Sequence, residues 1–311
     1  MPDKVVRINR AGERARPVLL AIAGDSAAGK TTLTAGLVEA LGRDRCVSLC
    51  TDDYHRYDRE QRRTLPFTAL HPSCNYVDIM EQHLQLLATG QPILKPVYDH
   101  ATGLLARPEL VEPADVVIVE GLLPLHTKLA RACFDVTVYL DPPEEIRRGW
   151  KVQRDTRKRG YTAEQVRSEL DRREAESEAF IRPQRQHADV VVRFAPIPGR
   201  ADPPSTPLSV ELMLRPTIRH PDLGAVLTPA MRRAVHLKLE RDTDGRPVDT
   251  LHVHGYVPRE ESRAVERAIW GSTGQPGSAP GCLGLFGADA RSEPLAITQL
   301  LLLHHVLEAA R

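Results

Sequence analysis

After sixteen charged, aperiodic residues the chain enters the apolar run Val18-Leu19-Leu20-Ala21-Ile22-Ala23. A short unbroken apolar run of this kind is the pattern of a strand buried on both faces. Four more such runs follow, at Cys46–Cys50, Asp115–Glu120, Phe134–Leu140 and Val190–Phe194. Between them the spacing becomes helical. Thr31–Leu41 carries Leu33, Leu37, Val38 and Leu41 on one side, Val77–Thr89 is amphipathic and stops at Gly90-Gln91-Pro92, and 144–180 is strongly charged and reads as helices. Strands alternating with helices predict an α/β fold with a mostly parallel sheet and helices on both faces.

Beyond residue 195 the pattern changes. Five prolines between 196 and 207 mark a linker. Leu208–Leu214, Val235–Leu239 and Leu251–Val257 then alternate, which predicts antiparallel strands extending the sheet, and Gly271–Gly287 reads as loop. The run Leu300–Leu307 is too short to span a bilayer and reads as a buried or interface helix.

Composition narrows the function classes. The 311 residues are 41% hydrophobic and 27% charged, ordinary for a globular protein, and the net charge is +1. No global field therefore favours nucleic acid or an anionic membrane, and anionic substrates must be drawn by local clusters. Five cysteines (Cys46, Cys50, Cys74, Cys133 and Cys282) form neither a disulfide framework nor a zinc-ligand spacing, which suits reduced thiols in the cytoplasm. Basic residues precede Val18, but the apolar run is shorter than the about 7–15 residues of a secretory leader.

The first apolar run ends in Gly24-Asp25-Ser26-Ala27-Ala28-Gly29-Lys30-Thr31, a match to G-x-x-x-x-G-K-[ST] between a strand and a helix. In that context backbone N–H groups close around phosphate oxygens, the lysine reaches the β- and γ-phosphates, the threonine hydroxyl serves Mg²⁺, and the helix adds its positive end. ATP with Mg²⁺ is thus expected, in a P-loop kinase domain over 17–195. A flexible tail (1–16), a Pro-rich linker (196–207) and a C-terminal α+β extension (208–311) complete the expected organisation.

Asp52-Asp53-Tyr54-His55 follows the second strand, where an open parallel sheet binds its ligands. A kinase acting on a hydroxyl needs a carboxylate there to accept the proton, and Asp52 is the first choice. Asp53 is left between capping the next turn and touching the Mg²⁺ water shell. Glu120, ending the Val116–Val119 strand, is placed to hold Mg²⁺. Arg56, Arg59, Arg62 and Arg63 suggest that the acceptor already bears a phosphate. Arg147, Lys151, Arg154 and Lys158 share a helix face, joined by Asp155 and ended by Arg159-Gly160, as in a lid closing over transferring phosphates. Tyr98 and His100, in a polar cluster between two turns, suit sugar hydroxyls.

Together these segments resemble the phosphoribulokinase branch of the phosphoribulokinase and uridine kinase family. The likeness rests on Gly24–Thr32, Asp52–His55 with Asp58-Arg59, Thr68–Leu70, Lys95–Gly103, Val119–Leu122 and Trp150–Asp155. It is dense over 18–195 and thinner to Gly284-Leu285-Phe286. The resemblance implies ribulose 5-phosphate as acceptor and ribulose 1,5-bisphosphate as product. It implies Asp52 as catalytic base, Glu120 serving Mg²⁺, and Arg59 on the sugar phosphate. Lys151, Arg154, Asp155 and Arg159 would belong to the lid, with His55, Tyr98 and His100 lining the sugar pocket, in a homodimer. Plant relatives carry a regulatory cysteine in the phosphate loop, paired with one before the Asp pair. Here those positions are Ala28 and Cys50, so that switch is not expected. The competing readings are a kinase for another small alcohol, such as a nucleoside, and a catalytically silent nucleotide-gated regulator.

Overall fold

A computed structural model describes residues 16–197, 199–200, 207–224, 226–227, 234–286 and 290–311. All of the expected N-terminal tail but residue 16, and most of the expected linker, lie outside the described residues. In chain order the elements are β1 (Val18–Gly24), α1 (Lys30–Leu41), β2 (Cys46–Cys50), α2 (Val77–Ala88), β3 (Ile93–Tyr98), β4 (Leu105–Val111), β5 (Val116–Gly121), α3 (Lys128–Ala132) and β6 (Val136–Leu140). Then come α4 (Glu144–Arg159), α5 (Ala163–Glu176), β7 (Val190–Ala195), β8 (Ser209–Leu214), β9 (Val235–Arg241), β10 (Pro247–Val253), α6 (Arg259–Ser272), the two-residue strands β11 (Leu285–Phe286) and β12 (Ala290–Arg291), and α7 (Glu293–Ala309). They fall into two compact units: Arg16–Lys30 with Val47–Ala188, and Thr31–Cys46 with Asp189–Arg311.

In the first unit the strand order is β2-β5-β1-β6. β1 runs parallel to β5, with Ile22 opposite Glu120, and parallel to β6, with Gly24 opposite Leu140. Every residue of β1, β5 and β6 is buried, as their unbroken apolar runs require. Leu19, Val117 and Val119 pack with Met80, Leu84 and Leu87 of α2 in one core cluster. The carboxyl ends of β1, β2 and β5 therefore deliver Gly24, Asp52 and Glu120 to the same end of this sheet. α4 begins with Glu144 and Glu145 and ends with Arg157, Lys158 and Arg159, charges that suit the helix dipole, and Gly160 stops it at φ 72°. A capping box of Thr162 and Gln165 starts α5 two residues later.

The second unit holds an antiparallel set in the order β7-β8-β10-β9, pairing Val192 with Leu212 and Leu251 with both Leu212 and Leu237. α7 is buried from Pro294 to Leu307, so the leucine-rich run is a core helix. Among the described residues no helix is long and apolar enough to cross a membrane. Gln299 of α7 donates to the Thr32 and Leu33 carbonyls of α1 at 3.2 and 3.3 Å. It can approach only because residue 36 is glycine; a Cβ there would stand 2.1 Å from the Gln299 amide.

Two stretches depart from the sequence pattern. Lys95–His100, expected as a polar segment between turns, lies mostly in the hairpin β3–β4. Pro96, which has no N–H to give a ladder, is accommodated by a register shift between Lys95 and Val97, and β4 is exposed except at Val111, so no apolar alternation reveals the strand. The strand expected at Leu251–Val257 runs instead from Pro247 to Val253. Its end is set by a turn in which Val257 N–H bonds the His254 carbonyl and Gly255 passes the Pro207 carbonyl so closely that a Cβ would not fit.

Candidate active site

The phosphate loop leaves β1 at Gly24, whose φ of 150° and approach to the Leu140 carbonyl leave no room for a side chain. It turns through Ala27 at φ 65° and Gly29 at φ 100°, and α1 starts at Lys30. Lys30 Nζ reaches back to the carbonyls of Gly24 and Asp25 at 2.8 and 2.9 Å. Asp25 is buried and binds the Ser26 N–H and the Ser177 hydroxyl. Arg147, only 4% exposed, donates to the Ser26 carbonyl at 3.0 Å and lies 3.5 Å from Asp25. The sequence placed Arg147 on the lid face. Its burial beneath the loop, held by Glu144, makes it a brace for the loop instead.

Asp52 and Asp53 sit in a 3₁₀ turn spanning Thr51–Tyr54, and the two carboxylates go separate ways. Asp53 accepts from Tyr98 N–H at 3.0 Å and pairs with Lys95, which also pairs with Glu109 at 2.9 Å. That pairing anchors the hairpin, a role that neither of the readings left open for Asp53 contained. Asp52 faces a cavity of about 330 Å³. Burial opposes its ionisation, but His55, His100, Lys30 and Arg173 outweigh that and hold its carboxyl below the usual range. An ionised carboxylate facing a cavity is what a proton acceptor requires.

The cavity lining carries eight cationic side chains against the three carboxylates Asp52, Asp155 and Glu169, so it selects for an anionic occupant. From α4, Lys151 donates to Asp155 at 2.7 Å, Arg154 donates to the other Asp155 oxygen at 2.8 Å, and Arg159 stands 3.6 Å away. Burial and the Arg173 charge bring Lys151 down to about 8, despite Asp155. Burial opposes ionisation of Asp155 too, yet its bonds from Arg154 and Lys151 keep it below the usual range. From the hairpin side Arg59 donates to the His100 carbonyl at 2.6 Å and to the Gly103 carbonyl through its backbone. Gly103 turns at φ 81° against the Arg59 side chain, which leaves no space for a Cβ.

His55 is buried, bonded through Nδ1 to Asn75 Oδ1 at 2.7 Å, and burial lowers it to about 4, so it is neutral at physiological pH. Tyr98 packs edge-on against both His55 and His100 at 5.0 Å. Burial lowers His100 as well. Arg63 reaches the lining but is mostly exposed and paired with Glu60 at 2.7 Å. Arg56 turns away, donating to the Asn75 carbonyl at 2.9 Å over the Tyr76 ring, so it leaves the expected arginine cluster.

Of the expected residues, the cavity thus brings together Ser26, Asp52, His55, Arg59, Arg63, Tyr98, His100, Lys151, Arg154, Asp155 and Arg159. Thr31 and Thr32 lie in the first turn of α1, and Glu120 is buried on β5. Arg62, already part of the expected arginine cluster, joins the lining, while the two cations Arg172 and Arg173 were missed as site residues. Arg62 stacks on the Tyr98 ring at 4.6 Å and bonds its hydroxyl. Arg172 and Arg173 enter from α5, where Arg173 pairs with Glu169 at 2.6 Å. In the sequence that i,i+4 pair looks like any solvated helix pair.

A family model described as phosphoribulokinase / uridine kinase family matches residues 19–198. A phosphoribulokinase of Synechocystis sp. is 41% identical over 204 residues, covering 66% of this chain and 61% of that protein. The chloroplastic phosphoribulokinase of Spinacia oleracea is 34% identical over 196 residues, covering 58% of this chain and 49% of that protein. The chain thus spans less than two thirds of the length of either curated relative. A solved phosphoribulokinase from Rhodobacter spheroides shares the fold, with a TM-score of 0.56 at 17% identity over 76% of this chain and 90% of its own.

Proposed function

The chain belongs to the phosphoribulokinase and uridine kinase family, and on that footing we propose that it transfers the γ-phosphate of ATP to a hydroxyl of ribulose 5-phosphate, giving ribulose 1,5-bisphosphate. The observation that carries the reading is an ionised Asp52 facing a cavity lined by eight cations. The carboxylate fits a hydroxyl acceptor, and the surplus of cations fits an acceptor that brings its own phosphate.

Asp52 takes the hydroxyl proton as the acceptor oxygen bonds the γ-phosphorus and the bond to the β,γ-bridging oxygen breaks, releasing ADP. Gly24 to Thr32 holds the nucleotide phosphates, with Lys30 moving from the loop carbonyls to the β- and γ-phosphates. Thr31 and Glu120 offer a hydroxyl and a carboxylate, hard oxygen donors of the kind that suit Mg²⁺, which when bound neutralises phosphate charge. Lys151, Arg154 and Arg159 stabilise the charge on the transferring group, and Asp155 orients them. Arg59, with Arg63 at the rim, binds the sugar phosphate, while His55, Tyr98 and His100 take the sugar hydroxyls. The protein acts as a homodimer in the cytoplasm.

A panel of acceptors with ATP and Mg²⁺ tests this. Ribulose 5-phosphate is expected to turn over and unphosphorylated alcohols such as uridine to be poor. Turnover of a nucleoside alone would overturn the acceptor assignment. ATP binding with no turnover on any acceptor would favour a nucleotide-gated regulator.

A further inference from the structure

The thiol of Cys50 takes no part in the chemistry described above, yet it lies beside its centre. Cys50 closes β2 and Asp52 is two residues on, while His100 arrives from the separate turn between β3 and β4. One donor atom from each of the three, a sulfur, a carboxylate oxygen and an imidazole nitrogen, lie within 4.8 Å of one another. The Asp52 Oδ2 to His100 Nε2 distance is 3.8 Å. A tetrahedral Zn²⁺ with bonds of about 2.0–2.3 Å has ligand–ligand edges of roughly 3.3–3.8 Å. Small side-chain rotations therefore bring the three donors onto one ion. Among the described residues, no other three His, Cys, Asp or Glu side chains converge in this way.

We propose that Cys50, Asp52 and His100 form a binding site for a thiophilic divalent cation of the Zn²⁺ type. The mixed S, N, O donor set suits Zn²⁺, Co²⁺ and Cd²⁺, whereas Mg²⁺ takes oxygen donors, so the thiol separates this site from the Mg²⁺ of the kinase reaction. Burial, with the charges of Asp52, Glu120 and Asp53, pushes the Cys50 thiol well up, so an ion that takes the sulfur must displace its proton. Access is open, because Asp52 and His100 both line the 330 Å³ cavity. The arginine hydrogen bond to the His100 carbonyl fixes the turn that supplies the imidazole. Three protein ligands leave a fourth position for water or a substrate oxygen. An ion held there occupies the Asp52 carboxylate, so it inhibits phosphoryl transfer; this consequence rests on the function proposed above, while the binding does not.

The test is titration of the full chain with Co²⁺, read by sulfur-to-cobalt charge-transfer absorption, beside Zn²⁺ inhibition at fixed Mg²⁺ and ATP. The wild type is expected to bind one equivalent with a thiolate band. The band is expected to vanish in Cys50→Ser and to persist when the half-buried thiols are replaced, as Cys133→Ser and Cys282→Ser. Zn²⁺ inhibition should weaken by about tenfold or more in Cys50→Ser. A wild type without the band, or a Cys50→Ser variant that keeps it, would overturn the site. If the band behaves as expected but Zn²⁺ leaves turnover unchanged, the link to Asp52 chemistry fails and the inhibitory role is overturned. Should Cys50→Ser fold poorly, alkylation of the wild type followed by peptide mass spectrometry decides: Zn²⁺ must slow labelling of Cys50, and equal rates contradict the proposal.

Discussion

Two buried lysine–aspartate pairs lie in the same unit, one at the root of the β3–β4 hairpin and one in the α4–α5 wall of the cavity. Lys95 is 6% exposed on its side chain and pairs with Asp53; Lys151 is 5% exposed and pairs with Asp155 at 2.7 Å. Burial works against the charge of both. At the hairpin, bonds to Asp53 and Glu109 overcome it and hold Lys95 above the usual lysine range. In the cavity wall the neighbours are Arg173 and Arg154, and Lys151 falls to about 8. The chemistry of the pair is the same and the surroundings reverse the sign. A lysine whose neighbours are carboxylates is satisfied and structural. A lysine crowded by arginines is held in a field that an incoming phosphate relieves, which is how a site selects for the charge that develops during transfer.

Breaking each pair sharpens the contrast. Lys95→Ala leaves Asp53 buried without its cation, and is expected to cost about 3–5 kcal/mol of stability in denaturant unfolding. Lys151→Ala is expected to lower kcat by about 10²–10³-fold with little change in melting, since Asp155 keeps Arg154 and Arg159. If the two variants exchanged phenotypes, the division into structural and catalytic pairs would be wrong.

The pH dependence separates them further. The free enzyme should lose kcat/KM as pH rises through about 8, where Lys151 loses its proton, and Lys151→Arg should remove that alkaline limb. The sign for stability is opposite. Between about 8 and the usual value of 10.5 the unfolded chain holds the Lys151 proton and the folded chain does not, so this group's contribution to stability rises with pH across that window. On the acid side, Arg173→Ala takes from Asp52 one of the charges that hold its carboxyl down, so the acid limb of kcat/KM should move to higher pH. An unmoved limb would remove Arg173 from the electrostatics of the site. Smallest of all is Arg63→Ala: the side chain is 69% exposed, and the change should stay under about 1 kcal/mol in KM terms for the sugar phosphate.

The same contrast explains what was legible beforehand. The phosphate loop and the run from Lys151 to Asp155 could be read because each is a local pattern, fixed by chain neighbours or by one helix face. Asp52 could be placed because the end of a parallel strand has a known direction. Arg147 shares the spacing of Lys151 and Arg154 but lies under the loop, and Arg173 shares the spacing of a surface pair but enters the cavity. Periodicity says which residues share a face and is silent on what that face meets. The role of Asp53 depended on a hairpin hidden by Pro96 and by an exposed β4, so nothing within the 51–63 segment could have separated it from Asp52.

The most direct test of the account is the turnover of Asp52→Asn with ribulose 5-phosphate, measured beside its ATP affinity. The substitution keeps the shape of the side chain and removes the group that accepts the proton. A kcat lower by roughly 10²–10⁴-fold with ATP binding nearly unchanged is expected. A variant that turns over at the wild-type rate would contradict the assignment of the cavity as the site of transfer.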